Sequence, residues 1–232
     1  MAIKAIFFDA AGTLIKPSRR VGESYAAIAE KYGIQVPSGA LSERFRACFD
    51  ESPPLAFPGA SPAEIAYLER DWWKQLVKRI FDPWSPFDRF EGYFAELFEY
   101  FSRADSWNLY PEVPATLTAL KARGLIIDVI SNFDSRLVKI LHGLGAGHWF
   151  DEIFISSHVG HAKPSRQIFE AALEKHGINP DHAIHVGDSE VNDVQGAMNA
   201  GLKPIFVDRD GANDSASTPR VENLTEIIDL LE

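Results

Sequence analysis

An apolar run that closes on a polar turn and passes into a helix-period segment recurs along this chain, and that repeat narrows the fold more than any other feature. Ala5-Ile6-Phe7-Phe8 runs into Asp9-Ala10-Ala11-Gly12-Thr13-Leu14, and Leu125-Ile126-Ile127-Asp128-Val129-Ile130 closes on Ser131-Asn132. Ile153-Phe154-Ile155 leads through a polar loop to Lys163-Pro164, and Ala183-Ile184-His185-Val186 ends in Gly187-Asp188-Ser189-Glu190-Val191-Asn192-Asp193. Short, nearly continuous apolar runs read as strands buried on both faces. Between them, 114–123, 136–144, 165–176, 191–200 and 223–231 read as helices. Strand–helix alternation implies right-handed crossovers and a parallel sheet covered on both sides. The expected fold class is therefore α/β, a Rossmann-like sheet with strands near Ala5, Leu125, Glu152, Ala183 and Pro204. Open α/β sheets carry their chemistry at the carboxyl ends of strands, where the polar turns fall.

Residues 16–108 interrupt this pattern. Tyr25, Ile28, Ala29 and Tyr32 recur at helical spacing before Gly33, and 41–49 forms a second helical segment. Ser61-Pro62-Ala63-Glu64 reads as a capped helix start with Pro at the first position. The helix that follows carries Ile65, Leu68, Trp72, Trp73, Leu76 and Ile80, and a fourth spans 90–101. The insert thus reads as all helix, with Trp72, Trp73, Phe94 and Phe98 as its core or a dimer face rather than a substrate cage.

The chain has 232 residues, 46% of them hydrophobic and 24% charged, enough for a core domain and a modest second one. A formal net charge of −10 and a pI near 5.2 argue against nucleic acid as a partner, because no Lys/Arg stripe is present to release counterions. A small-molecule substrate is the expected partner. The lone Cys48 excludes an internal disulfide and reads as a small buried hydrophobe. The N-terminal residues are too polar for a secretory signal and no run approaches the ~20 apolar residues of a membrane span, so no membrane role and a cytoplasmic location are expected. Oligomeric state is left open.

Taken one at a time, Asp9 reads as a helix cap, Asp188 as a turn residue, Ser131 as a strand-end hydrogen-bonder and Lys163 as a solvated charge. His142, His148, His176, His182 and His185 lack metal-ligand spacing and read as surface or packing residues, and 208–214 reads as a solvated loop. Order changes the first of these readings. A carboxylate, a hydroxyl with an amide, a lysine held before a proline and an acidic pair, each after a strand-like run, resemble the four motifs of the haloacid dehalogenase superfamily of hydrolases. The opening Val21-Gly22-Glu23-Ser24-Tyr25 and the insert length resemble the subgroup with a helical cap after the first motif. The resemblance implies a catalytic core of 1–15 and 109–232 under a cap of 16–108, with the first strand central. It makes Asp9 the nucleophile, oriented by Thr13. Ser131 and Asn132 would hold phosphate oxygens, and Lys163 would neutralise charge on nucleophile and phosphoryl group. It also implies Mg²⁺ held by Asp9, the backbone carbonyl of Ala11, Asp188 and Asp193, with Asp193 supporting the metal or Lys163.

The chain departs from that family at one position. Its phosphatases carry a second Asp two residues after the nucleophile, as acid to the leaving group and base to water; here that residue is Ala11. The resemblance therefore implies a Mg²⁺-dependent phosphohydrolase, weak or restricted to good leaving groups. Asp134, His158, His161 or Glu23 are conceivable stand-ins. Two alternatives tolerate Ala11: a 2-haloacid dehalogenase, with Arg19, Arg20 or Arg44 cradling halide, and a phosphonoacetaldehyde-hydrolase-like enzyme using Lys31, Lys74 or Lys78 as a Schiff base. A ligand-binding protein without turnover is the third.

Overall fold

The computed structural model describes residues 2–211 and 218–231. Six strands form the expected parallel sheet: β1 (Ala5–Phe8), β4 (Ile126–Ser131), β5 (Glu152–Ile155), β6 (Ala183–Gly187), β7 (Lys203–Val207) and β8 (Arg220–Val221), in the order β5-β4-β1-β6-β7-β8. β1 is central, with Phe8 level with Val129 on one side and Val186 on the other. β8 escapes the sequence reading because two residues carry no periodicity. Three of the four polar turns directly follow β1, β4 and β6, so register alone sets Asp9, Ser131 and Asp188 side by side.

Alternation along the strands divides the core. Ile6, Phe8, Ile127, Val129, Ile184 and Val186 pack under α5 (Val113–Ala122), α6 (Arg136–Gly143) and α10 (Glu226–Leu230). Ala5, Phe7, Ile130 and Ala183 face α8 (Arg166–His176) and α9 (Gly196–Asn199), with Ile168 and Phe169 fully buried there. A short helix, α7 (Ser156–Val159), follows β5. The helix expected from residue 191 begins instead as a π turn, Glu190–Gln195. The widening has a local cause: Ser189 Oγ accepts from Asn192 N at 3.1 Å while Ser189 N donates to the Asp193 carboxylate at 3.0 Å, so the turn is wound around that carboxylate.

The insert comprises α1 (Val21–Lys31), α2 (Ser38–Asp50), α3 (Pro62–Phe81) and α4 (Phe90–Tyr100). Pro62 opens α3, and Glu64 accepts from the Ser61 N–H at 2.9 Å as the capped start requires. These helices share a core of their own around Leu41, Leu76, Ile80, Phe81, Tyr93 and Phe94. A two-stranded antiparallel ribbon, β2 (Ile15–Pro17) with β3 (Trp107–Leu109), ties together the two points where the chain enters and leaves them. The all-helix expectation misses this ribbon, whose three-residue strands are too short to show alternation.

One buried acid pins the insert to the sheet side. Glu69 of α3, 4% exposed, accepts from Ser135 N at 3.0 Å, Ser135 Oγ at 2.8 Å and Ser157 Oγ at 2.6 Å. Beside it, Trp73 Nε1 donates to Asp134 at 2.5 Å, and Asp134 is chelated by the Arg136 guanidinium at 2.8 and 2.6 Å. A buried donor left without a partner costs about 1–3 kcal/mol. Glu69→Ala is therefore expected to lower unfolding stability by at least about 1–3 kcal/mol, read as a fall in urea midpoint at unchanged slope.

Candidate active site

The four motifs meet in one place. Lys163 Nζ lies 2.7 Å from Asp9 Oδ1 and 2.6 Å from Asp193 Oδ1, and Ser131 Oγ donates to Asp9 Oδ1 at 3.2 Å. The ligand oxygens of Asp9, Asp188 and Asp193 lie within 4.8 Å of one another. Together they floor a cleft of ≈ 700 Å³ that Ala11, Ser131 and Lys163 also line.

Backbone constraints build this floor. Asp9 N still bonds Val186 O at 2.8 Å, so Asp9 stays in register with β6. Gly12 follows with φ of +100°, and a Cβ there would meet an Asp188 carboxylate oxygen at 2.1 Å. Only glycine lets the turn pass so close. Arg209, from beyond β7, holds the turn from behind, donating to Gly12 O at 3.1 Å and Thr13 O at 2.6 Å. It also pairs with Glu112 at 2.7 Å and stacks on the Tyr110 ring.

Electrostatics give the acids different states. Burial pushes Asp9 up from its ordinary value, offset by Lys163 and reinforced by Asp193. Burial also penalises the Asp193 carboxylate, but Lys163 and His185 outweigh it and hold this group far below the usual range. Burial pulls the Lys163 ammonium down, yet Asp193 and Asp9 together raise it above its ordinary value. Desolvation, then the charges of Asp9 and Asp193, pushes Asp188 up to about 7. Crowded carboxylates of this kind suit a hard divalent cation, whose charge would remove the conflict that raises Asp188. The three acids thus fit a cation site.

Several expected residues take other parts. Asn132 does not turn its amide oxygen to the cleft: Oδ1 accepts from Lys163 N at 2.7 Å and Nδ2 donates to Lys163 O at 2.9 Å, bracketing the lysine backbone. Thr13 Oγ1 is buried without a hydrogen-bond partner, so its hydroxyl does not orient Asp9; its carbonyl, gripped by Arg209, is the group in use. None of the four stand-in acids lines the cleft. Asp134 is locked by Arg136 and Trp73, His158 bonds Ser135 Oγ at 2.8 Å, Glu23 lines a separate groove, and His161 lies outside the lining. Arg44 donates to the carbonyls of Ile80 and Arg79 inside the insert, and Arg19 and Arg20 do not reach the cleft. Lys31 and Lys74 pair with Glu96 and Glu91, and Lys78 lies near the Phe90 ring.

Other residues enter unannounced. His185, fully buried in β6, lies with Nε2 2.8 Å from Asp193 Oδ1, while Nδ1 has no partner and the ring meets Phe169 edge-on. Burial holds it below its ordinary pKa, so the neutral ring carries its one proton on Nε2, toward the carboxylate. Strand alternation, which puts His185 with Ala183 on the α8 face, was the available signal. Arg209 had been read with a solvated loop; neighbouring Asp208 is 5% exposed and faces Arg220 at 3.4 Å, while 212–214 lie outside the described residues. Phe49, Asp50 and Trp72 of the insert also line the cleft. Trp72 packs against the insert core, as its helical spacing predicts, and its other edge lines the cleft, because which helix face turns there is decided by docking, which no single-helix period reports.

Gly12→Ala is expected to fold yet lose divalent-cation binding by calorimetry, because the added methyl displaces Asp188; binding at the wild-type level would show that Asp188 is not required.

Comparison with known proteins places the chain in a family. The description haloacid dehalogenase-like hydrolase fits residues 3–201. The chain is 32% identical to the mouse haloacid dehalogenase-like hydrolase domain-containing protein 3, over 100% of this chain and 96% of that one. It is 30% identical to a Thermus thermophilus phosphoserine phosphatase, over 97% and 98%. Its fold matches the putative HAD-hydrolase YfnB of Bacillus subtilis, solved with magnesium, at a TM-score of 0.77 and 16% identity over 100% and 99% of the two chains.

Proposed function

This chain belongs to the haloacid dehalogenase-like hydrolases, and on that footing we propose that it is a Mg²⁺-dependent phosphohydrolase working through an aspartyl-phosphate on Asp9. The observation that carries the proposal is the Lys163 ammonium fixed between Asp9 and Asp193 beside an acidic trio. In the same reading the helical insert is the cap, the substrate is a small phosphorylated molecule and the setting is cytoplasmic. The single, buried Cys48 supports that setting; no helix among the described residues is long and apolar enough to cross a membrane.

Lys163 opposes the burial that favours the neutral acid of Asp9, and Lys163 and Ser131 both bond Oδ1, leaving Oδ2 for attack. Asp9 forms an O–P bond as the bond from phosphorus to the leaving oxygen breaks, and the electron pair departs with that oxygen. Ser131 and Lys163 are placed to meet the phosphoryl oxygens. Water then adds its oxygen to phosphorus as the bond from Asp9 to phosphorus breaks, the electron pair returns to the Asp9 carboxylate, and both water protons leave on the released phosphate, which passes one of them to solvent. Mg²⁺, held by Asp9, Asp188, Asp193 and the Ala11 carbonyl, would supply charge neutralisation. His185 and the Ser189 N–H keep Asp193 turned to Lys163.

Position 11 sets the limits. General acid–base help is worth roughly 10²–10⁴-fold, and a methyl supplies none. Alkoxide leaving groups suffer most, whereas carboxylate and phenolate ions depart unaided. Carbon–halogen hydrolysis fits less well, since no arginine lines the cleft among the described residues. A Schiff-base route fits less well too: among the described residues no lysine of the insert lines the cleft, and Lys163, which does, is paired with Asp9 and Asp193.

Phosphate release from acyl or aryl phosphates with Mg²⁺, lost in Asp9→Asn, is the expected result; ligand binding without turnover of any ester would leave a binding protein instead. Ala11 is exposed in the cleft, so an added carboxyl has room. Ala11→Asp is expected to raise turnover of alkyl phosphates by at least about tenfold, within the ~10²–10⁴ ceiling for such groups. An unchanged rate in the folded variant would show that another group already supplies the proton. Asp188 also dictates a pH dependence. Its raised folded-state value means that the ion-free protein loses stability from this group as pH rises from about 4 through about 7. A cation needs the ionised form, so Mg²⁺ is expected to raise the melting temperature more at pH 8 than at pH 6; an equal rise would place the ion elsewhere.

A further inference from the structure

The insert residues that line the cleft indicate what the leaving group is. We infer that this site takes phosphates of neutral, flat aromatic leaving groups, aryl phosphates or aromatic acyl phosphates. The inference rests on the phosphohydrolase reading above and deepens it.

Three independent features converge. The first is an aromatic wall. Phe49 is 39% exposed at the cleft although its neighbours are insert core: Phe45 stacks on it at 5.6 Å, and Trp72 and Trp73 meet it at 5.9 and 6.2 Å. Trp72 is held in place by donating Nε1 to Pro53 O at 3.0 Å. Val191, from the turn after β6, is 54% exposed and lines the same cleft. Large apolar side chains left in water in one cleft stay uncovered until an apolar group enters, and a braced ring loses little freedom when it does.

Charge is the second. Among the described residues that line the cleft, Lys163 is the one cation, and it is bound to Asp9 and Asp193. The insert adds Asp50, a further negative charge in the cleft lining. A leaving group carrying a carboxylate, as in a phosphorylated hydroxy acid or amino acid, finds no counter-charge and one repulsion. The third is Ala11. Phenolate and aromatic carboxylate ions depart without a proton, so the missing acid does not penalise them. Bond changes are as above: the phosphorus–oxygen bond to the leaving group breaks as the bond to Asp9 forms, and the pair leaves on the phenolic or carboxyl oxygen.

The test compares benzoyl phosphate with acetyl phosphate, whose leaving carboxylates are similar in acidity, so a difference reports recognition of the ring. The wild-type enzyme with Mg²⁺ is expected to show a KM at least about threefold lower for benzoyl phosphate, and Phe49→Ala to bring the two KM values together. Phenyl phosphate is expected to exceed 4-carboxyphenyl phosphate in kcat/KM by about tenfold despite the better leaving group of the latter, with Asp50→Asn narrowing the gap. Hydrolysis of both acyl phosphates with equal KM in the wild type, or a preference that survives Phe49→Ala, overturns the aromatic assignment and leaves the phosphohydrolase standing. Release of phosphate from none of the four substrates overturns the phosphohydrolase reading itself. The wild-type comparison decides the matter even if a variant misfolds.

Discussion

One buried ammonium group organises this molecule's chemistry. Lys163 joins Asp9, at the end of the central strand, to Asp193, in the turn after the neighbouring strand, with both contacts under 3 Å and almost no solvent. Three such charges are costly to desolvate, and removing one member of a buried pair typically costs about 3–5 kcal/mol because its partner stays uncompensated. The surrounding structure is arranged to keep the set complete. Asn132 brackets the lysine's backbone, His185 and Ser189 saturate Asp193, and Arg209 grips the carbonyls of the turn that carries Asp9 past Asp188. The parallel register of β4, β1 and β6 makes that arrangement possible, by ending three strands at one level.

The unmatched charge lies at Asp188. Desolvation, then the charges of Asp9 and Asp193, pushes its carboxyl up to about 7, and a cation would relieve that crowding. The same crowding shapes what can enter. In the proposed reading, a phosphoryl group would bring more negative charge to this floor and would need Lys163 and a divalent ion together, Ala11 would move the burden of bond cleavage onto the leaving group, and the aromatic residues of the insert would supply binding that needs no charge.

Much of this was legible from the chain alone, and the reason is local. Strand runs ending in polar turns show themselves by composition: Asp9 and Asp188 follow such runs directly, Ser131 closes one, and Lys163 comes a short polar loop later. Glycine at position 12 announces a turn that no side chain can share. What stayed hidden depends on contacts between elements far apart in sequence. Asn132 looks like an oxyanion holder until Lys163 is seen to occupy its oxygen. Thr13 looks like a positioning hydroxyl until its carbonyl is found in the grip of a residue about two hundred positions away. His185 and Asp193 are eight residues apart, but only the π turn brings ring and carboxylate together. Phe49, Asp50 and Trp72 belong to amphipathic helices whose inward face is readable and whose cleft-facing edge is not.

The central claim is that Asp9 accepts a phosphoryl group between Lys163 and a divalent ion. A crystal structure grown with Mg²⁺ and beryllofluoride tests it most directly, because beryllofluoride bonds a carboxylate as a phosphoryl group does. The expected result is beryllium bonded to Asp9 Oδ2, with fluorines near Ser131 Oγ and Lys163 Nζ and Mg²⁺ between Asp9 and Asp188. Adduct formation on another residue, or a cleft with Asp9 unmodified at saturating reagent, would contradict the account.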